Sequence, residues 1–136
     1  PYLLIAVEPG PGGTWPKLAE FGRLAAAEGR VMVAVGWNPS EDLAALKAAC
    51  PTLVDLVGKA SLNELVFIAW AAAGAVGTDN GIMHLAAGAG CRSVVLYDDQ
   101  SDPALVGQRG SRVTILRRPH LSGIPATEVL AALKRL

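Results

Sequence analysis

Gly74-Ala-Val-Gly-Thr-Asp-Asn-Gly-Ile-Met-His-Leu-Ala-Ala-Gly-Ala-Gly90 is the stretch on which the reading of this chain turns. It opens as a short apolar strand, Ala75 to Thr78, and breaks at Asp79-Asn80-Gly81. It resumes from Ile82 to Ala89 as a run of small residues that suits a closely packed helix. A strand that turns abruptly into a helix leaves the first helical N–H groups without partners. Together with the positive end of the helix dipole, those donors form a natural anion site. Gly81 would let a ligand approach the backbone, and Asp79 would stand at the carboxyl end of the strand, where open α/β sheets bind ligands. The same turn could instead do no more than cap its helix.

Working outward, the pattern alternates strand and helix. Tyr2 to Val7 is a continuous apolar run, as expected for a strand covered on both faces. A glycine loop follows, then Trp15-Pro16 and a helix to Glu28 whose apolar stripe is Leu18, Phe21, Leu24 and Ala25. Val31–Val35 is the second strand, and Ser40 is the expected N-cap of a helix reaching Cys50. Leu53–Val57 is the third strand, and Ser61-Leu-Asn-Glu64 is a capping box for a helix to about Ala73. Beyond the central stretch come strands at Ser93–Tyr97 and Arg112–Leu116, and a closing helix, 126–136. The fold class is therefore α/β: a doubly wound, Rossmann-like parallel six-stranded sheet with helices on both faces. Residues 1–136 are expected to form one domain. Because a strand follows Pro1 at once, that domain is expected to be cut from a longer chain.

Composition narrows the function. Apolar residues make up 51% of the 136 and charged residues 18%, as in a globular domain. The formal net charge is zero and no basic block is present, which argues against nucleic acid and against an anionic membrane surface. No apolar run is long enough to span a bilayer and no signal peptide is visible, so a cytoplasmic location is expected. Cys50 and Cys91 lack metal-ligand spacing and read as reduced, buried thiols. No Ser-His-Asp order, nucleophile elbow or metal cluster appears.

The remaining candidates each have a plainer reading. Gly10-Pro-Gly-Gly13 could cradle a diphosphate, yet it fits neither the dinucleotide fingerprint nor the Walker loop. His84 on an apolar helix is more often structural than a ligand. Ser101-Asp102-Pro103 could touch a ligand or be an ordinary turn. Asp98-Asp99 could hold a divalent ion or simply be solvated.

Residues 58–103 resemble the nucleotide-binding region of the glycosyltransferase family 9 enzymes, the ADP-heptose:lipopolysaccharide heptosyltransferases. The resemblance rests on Gly58-Lys59-Ala60-Ser61-Leu62, on Asp79-Asn80-Gly81-Ile82-Met83-His84-Leu85-Ala86-Ala87-Gly88, and on Tyr97 with Ser101-Asp102-Pro103. Trp15-Pro16 and Ile124-Pro125 extend it over nearly the whole chain. It implies the C-terminal half of a GT-B fold, the domain that binds the nucleotide-sugar donor. Asp79, Asn80, Gly81 and His84 would then line the donor. Gly12, Gly13 and Thr14 would face the diphosphate, Glu41 would lie near the nucleoside, and Ser101 would stand in for a family threonine near the phosphates.

The reaction implied is metal-independent, inverting transfer of a heptose to a lipopolysaccharide core acceptor, with no cofactor. The general base would be on the N-terminal domain, so this domain alone would not turn over. The full-length protein would work in the cytoplasm, at the inner membrane face. Family members carry a lysine two residues before Trp-Pro, where this chain has Gly13. Its loss should weaken diphosphate binding. That departure motivates an alternative, in which the domain is a catalytically silent binding or interaction module of a larger protein.

Overall fold

A computed structural model describes residues 1–100 and 112–135. Six strands form one all-parallel sheet: β1 (Leu3–Ala6), β2 (Met32–Val35), β3 (Val54–Asp55), β4 (Gly74–Thr78), β5 (Ser93–Tyr97) and β6 (Val113–Arg117). Their spatial order is β3-β2-β1-β4-β5-β6. This is the doubly wound arrangement, with a switch point between β1 and β4 where the winding reverses. Five α-helices accompany the strands among the described residues: α1 (Leu18–Ala27), α2 (Glu41–Ala49), α3 (Leu62–Ala71), α4 (Gly81–Gly88) and α5 (Ala126–Arg135).

The period-two alternation of β1 explains why the sheet is covered twice. Leu3, Ile5 and Val7 face one core with Phe21, Leu46 and Val129, which come from α1, α2 and α5. Leu4 and Ala6 face a second core with Leu65, Ala69, Ile82 and Met83 from α3 and α4. Complete burial of each such side chain is worth about 1.5–3 kcal/mol relative to exposure, so both layers hold the sheet. Gly77 shows how tight the second layer is. A Cβ there would lie 2.9 Å from Met83 Cγ and 3.1 Å from the Ala6 Cβ, so the bare strand lets α4 settle onto β4.

Caps fix the helix starts. Ser40 accepts the Leu43 N–H at 3.2 Å. At α3, Ser61 Oγ accepts the Glu64 N–H at 3.2 Å, while Glu64 accepts the Ser61 N–H at 2.8 Å. The capping box expected from the sequence is therefore present at both ends. α1 begins later than expected, at Leu18, because Pro16 lies in a preceding turn closed from Leu18 N to Trp15 O. The third strand is shorter than Leu53–Val57. It pairs only with β2, and the Asp55 carboxylate folds back to accept the Val57 N–H at 3.0 Å. The Ser101-Asp102-Pro103 turn lies outside the described residues.

Two outlying pieces of the sequence meet. Trp15 is 4% exposed, tilts against Phe21 with ring centroids 5.9 Å apart, and donates its Nε1–H to the Ile124 carbonyl at 3.0 Å. The indole thereby ties the loop after β1 to the entrance of α5.

Candidate functional site

The site forms at the carboxyl ends of β1, β4 and β5, on either side of the switch point. Three short segments make it: Glu8–Thr14 after β1, Asp79–Gly81 after β4, and Tyr97–Gln100 at the end of β5. Two narrow clefts open there. One is lined by Glu8, Thr14, Trp15, Asp42 and Thr78, the other by Gly10, Gly12, Asp79, Tyr97 and Asp98.

Asn80 organises the edge. As the N-cap of α4 its Oδ1 accepts the Met83 N–H at 3.0 Å, and its Nδ2 donates to the Glu8 carbonyl at 3.0 Å. Thr78 Oγ1 donates to the same carbonyl at 3.1 Å. The ends of β1 and β4 are thus locked together through one acceptor. Asn80 is only 7% exposed, and its amide is engaged on both sides. This residue builds the site's floor, where a donor-lining role had been expected.

The helix start behind it keeps its donors. The Gly81 and Ile82 N–H groups have no partner among the described residues, while His84 N bonds to Asn80 O at 3.2 Å. A Cβ at Gly81 would meet nothing within 4 Å, so open space lies over the first turn. His84 Nε2 stands 3.3 Å from Asp79 Oδ1, with the imidazole 46% exposed and the carboxylate 10% exposed. One short segment therefore carries two N–H donors without partners among the described residues, the positive end of the helix dipole, a carboxylate and an imidazole.

The glycine loop behaves differently. Gly10 and Gly13 exchange both backbone hydrogen bonds at 2.9 Å, closing Gly10-Pro11-Gly12-Gly13 into a tight hairpin in which Gly13 has φ +94°. The Gly13 N–H is therefore already paired and cannot serve a diphosphate. The glycines are needed for close approach. A Cβ on Gly10 would stand 2.7 Å from the Asp79 carbonyl oxygen, and one on Gly12 would overlap the Asp98 carboxylate. Thr14 is exposed and lines the first cleft.

Two acidic positions change places. Glu41 is exposed at the start of α2, while Asp42 beside it lines the cleft. Sequence reasoning also missed Glu8, whose carboxylate accepts the Trp37 N–H and so ties the end of β1 to the residue after Gly36. Its signal was available: it is the first charged residue after an apolar central strand. Asp98 was read as a possible ion ligand or a solvated acid. It is 9% exposed, accepts the Gln100 N–H at 2.9 Å, and packs under Gly12. Ser101 lies outside the described residues.

The described residues lining the two clefts include Glu8, Asp42, Asp79 and Asp98 and no lysine or arginine. At the Asp98 end Arg117 Nε donates to the Asp98 carbonyl at 3.4 Å, so the α4 N-terminus is not the sole source of positive potential at this edge. Neither cysteine offers a nucleophile. Both are free and buried, and burial pushes the Cys91 thiol up to about 11, so it stays protonated at neutral pH. No group of three His, Cys, Asp or Glu among the described residues could hold a metal ion. No helix among them is long and apolar enough to cross a membrane.

A 3-2-1-4-5-6 parallel sheet with a helix N-terminus at its switch point defines a Rossmann-like class of domain. The family model for glycosyltransferase family 9 (heptosyltransferase) matches residues 11–134, and the chain belongs to that family. Its fold is that of GT-B heptosyltransferases. Escherichia coli ADP-heptose lipopolysaccharide heptosyltransferase II superposes with a TM-score of 0.86 at 25% identity, over 99% of this chain and 46% of that one. E. coli heptosyltransferase WaaC with ADP gives 0.82 at 22%, over 98% and 43%. The same enzyme with ADP-2-deoxy-2-fluoro heptose gives 0.79 at 21%, over 98% and 42%. The chain thus spans under half the length of these structures. A comparison with curated protein sequences found no match.

Proposed function

We propose that this chain is the donor-binding half of a two-domain, inverting GT-B glycosyltransferase that takes an ADP-linked heptose. One observation carries the reading: at the switch point the Gly81 and Ile82 N–H groups have no partner among the described residues and lie in the same short segment as the Asp79–His84 pair. Solved family structures that hold ADP and an ADP-heptose analogue support it. The diphosphate would lie against the α4 N-terminus, with Thr14 and Ser101 flanking it and the nucleoside reaching toward α2. Fixed N–H dipoles would then stabilise charge on the departing diphosphate. The general base would come from the other half of the protein, and no metal is invoked. The acceptor would be a lipopolysaccharide core glycan, reached from the cytoplasmic side of the inner membrane.

The acidic character of the edge supports a second reading, a silent family 9 module. Four cleft carboxylates with no lysine or arginine among the described lining residues, and Gly13 where the family resemblance implies a lysine, would make a poor diphosphate site. Calorimetric titration with ADP, and with UDP and GDP as controls, separates the two. Donor binding predicts saturable ADP binding that disappears in Asp79→Ala while the variant stays folded. Failure of the full-length protein to bind any of the three at millimolar concentration would leave the silent module standing.

A further inference from the structure

Of the three tryptophans, two are accounted for without a ligand or stand far from the ligand edge. Trp15 is buried and bonded to the Ile124 carbonyl. Trp70 is in the last turn of α3, by the start of β1, where Tyr2 donates its hydroxyl to Ile68 O at 2.6 Å. Trp37 differs. It follows β2 by two residues, at the same carboxyl edge as the two clefts, and it is 47% exposed.

The backbone that carries Trp37 is held on both sides. Its own N–H goes to the Glu8 carboxylate, and Glu8 lines the first cleft. The preceding Gly36 carbonyl accepts the Gly58 N–H at 2.9 Å, which ties the end of β2 to the turn after β3. Beyond Trp37, Pro39 has a fixed φ, and Ser40 caps α2 through the Leu43 N–H at 3.2 Å. A large aromatic side chain is thus left in solvent on a rigid base. A flat ligand can cover such a surface at little cost in conformational entropy.

We propose that Trp37 is the stacking platform for the nucleobase of the donor, an assignment that rests on the donor-binding reading above. The strand order supplies the distance. β2 and β4 stand on either side of β1, so their ends lie about 10 Å apart, at two strand spacings. A nucleoside diphosphate bridges that interval when its phosphates lie against the α4 N-terminus and its base reaches the end of β2. The charges agree with this polarity. Glu8 ends β1, and Glu41 and Asp42 open α2, so phosphate is repelled on the β2 side. An uncharged base is not repelled, and ribose hydroxyls can donate to a carboxylate. Stacking uses the π face that every base has, so it does not tell adenine from guanine. It favours a purine over a pyrimidine, because two fused rings cover more of the indole.

Calorimetry of the full-length protein with ADP, GDP, UDP and ADP-heptose tests this. Trp37→Ala should weaken ADP and GDP by roughly tenfold or more, as loss of a stacked base does, and UDP by less. The preference for purines should therefore shrink. Trp37→Phe restores a flat face and should recover most of the affinity. Bound ADP should also quench tryptophan emission in the parent, and far less in Trp37→Phe. Unchanged circular dichroism at this exposed position will show that both variants fold. If Trp37→Ala binds ADP as the parent does, while Asp79→Ala does not, the platform is overturned and the donor site stands. An equal loss for every nucleotide would overturn it too, by reducing Trp37 to a structural role. So would a loss confined to ADP-heptose, which would put the indole under the sugar. A parent that binds none of the four would remove the donor reading and the platform together.

Discussion

The turn after β1 and the turn after β4 stand side by side at the switch point, and both join glycine to polar residues. Only one remains open. In Gly10–Gly13 the two outer glycines bond to each other, and the hairpin sits on the Asp79 carbonyl and the Asp98 carboxylate. In Asp79–Gly81 the cap residue faces inward, the Gly81 and Ile82 N–H groups have no partner among the described residues, and open space lies where a Gly81 Cβ would be. Glycine content therefore says that backbone comes close to something, not what that something is. Whether a loop can hold an anion depends on which N–H groups are already paired, and that is a property of the closed hairpin.

Gly10→Ala should break this comparison most severely. Its Cβ would lie 2.7 Å from a backbone oxygen of Asp79, which cannot swing aside as a side chain can. Overpacking of this kind costs about 1–3 kcal/mol, and a drop in the urea midpoint with an unchanged m-value would register it. If the hairpin were instead a loose ligand cradle, the variant would keep its midpoint and lose only nucleotide affinity. Asn80→Ala should come next, at about 2 kcal/mol. It removes an N-cap, worth roughly 0.5–2 kcal/mol, together with the link to Glu8 O. An unchanged midpoint there would mean that the two turns are not coupled through Asn80.

The frame was legible because its signals are local. Apolar runs gave the strands, Ser40 and Ser61-x-x-Glu64 gave helix starts, and strict β/α alternation gave a parallel sheet. The Asp79-Asn80-Gly81 break was correctly read as a helix start. What stayed hidden was pairing across distance. Nothing around Asn80 says that its amide will reach Glu8, 72 positions away, or that Trp15 will bond to Ile124, 109 positions away. Asp42, not Glu41, lines the cleft because helical phase at the start of α2 decides which carboxylate turns inward. A one-residue phase is finer than a sequence pattern resolves.

The smallest effect offers the sharpest comparison. Asn80→Ser keeps an oxygen able to cap the Met83 N–H, but it loses the amide that reaches the Glu8 carbonyl. Serine is a comparably good N-cap, so α4 should start where it does now. The Glu8 carbonyl would not be left bare, because Thr78 Oγ1 still donates to it at 3.1 Å. The loss should therefore be one good neutral hydrogen bond, about 0.5–1.5 kcal/mol, together with the long Nδ2 contact to Thr78 Oγ1 at 3.5 Å. The difference between Asn80→Ala and Asn80→Ser then measures the cap, and the difference between Asn80→Ser and the parent measures the tie between the turns. Amide exchange gives the same partition by position. Asn80→Ser should speed exchange in the loop after β1 and leave the capped Met83 amide protected, whereas Asn80→Ala should speed both. Equal acceleration in both segments for the serine variant would mean that cap and tie act as one unit, and that the two turns are a single closed structure rather than an open one resting on a closed one.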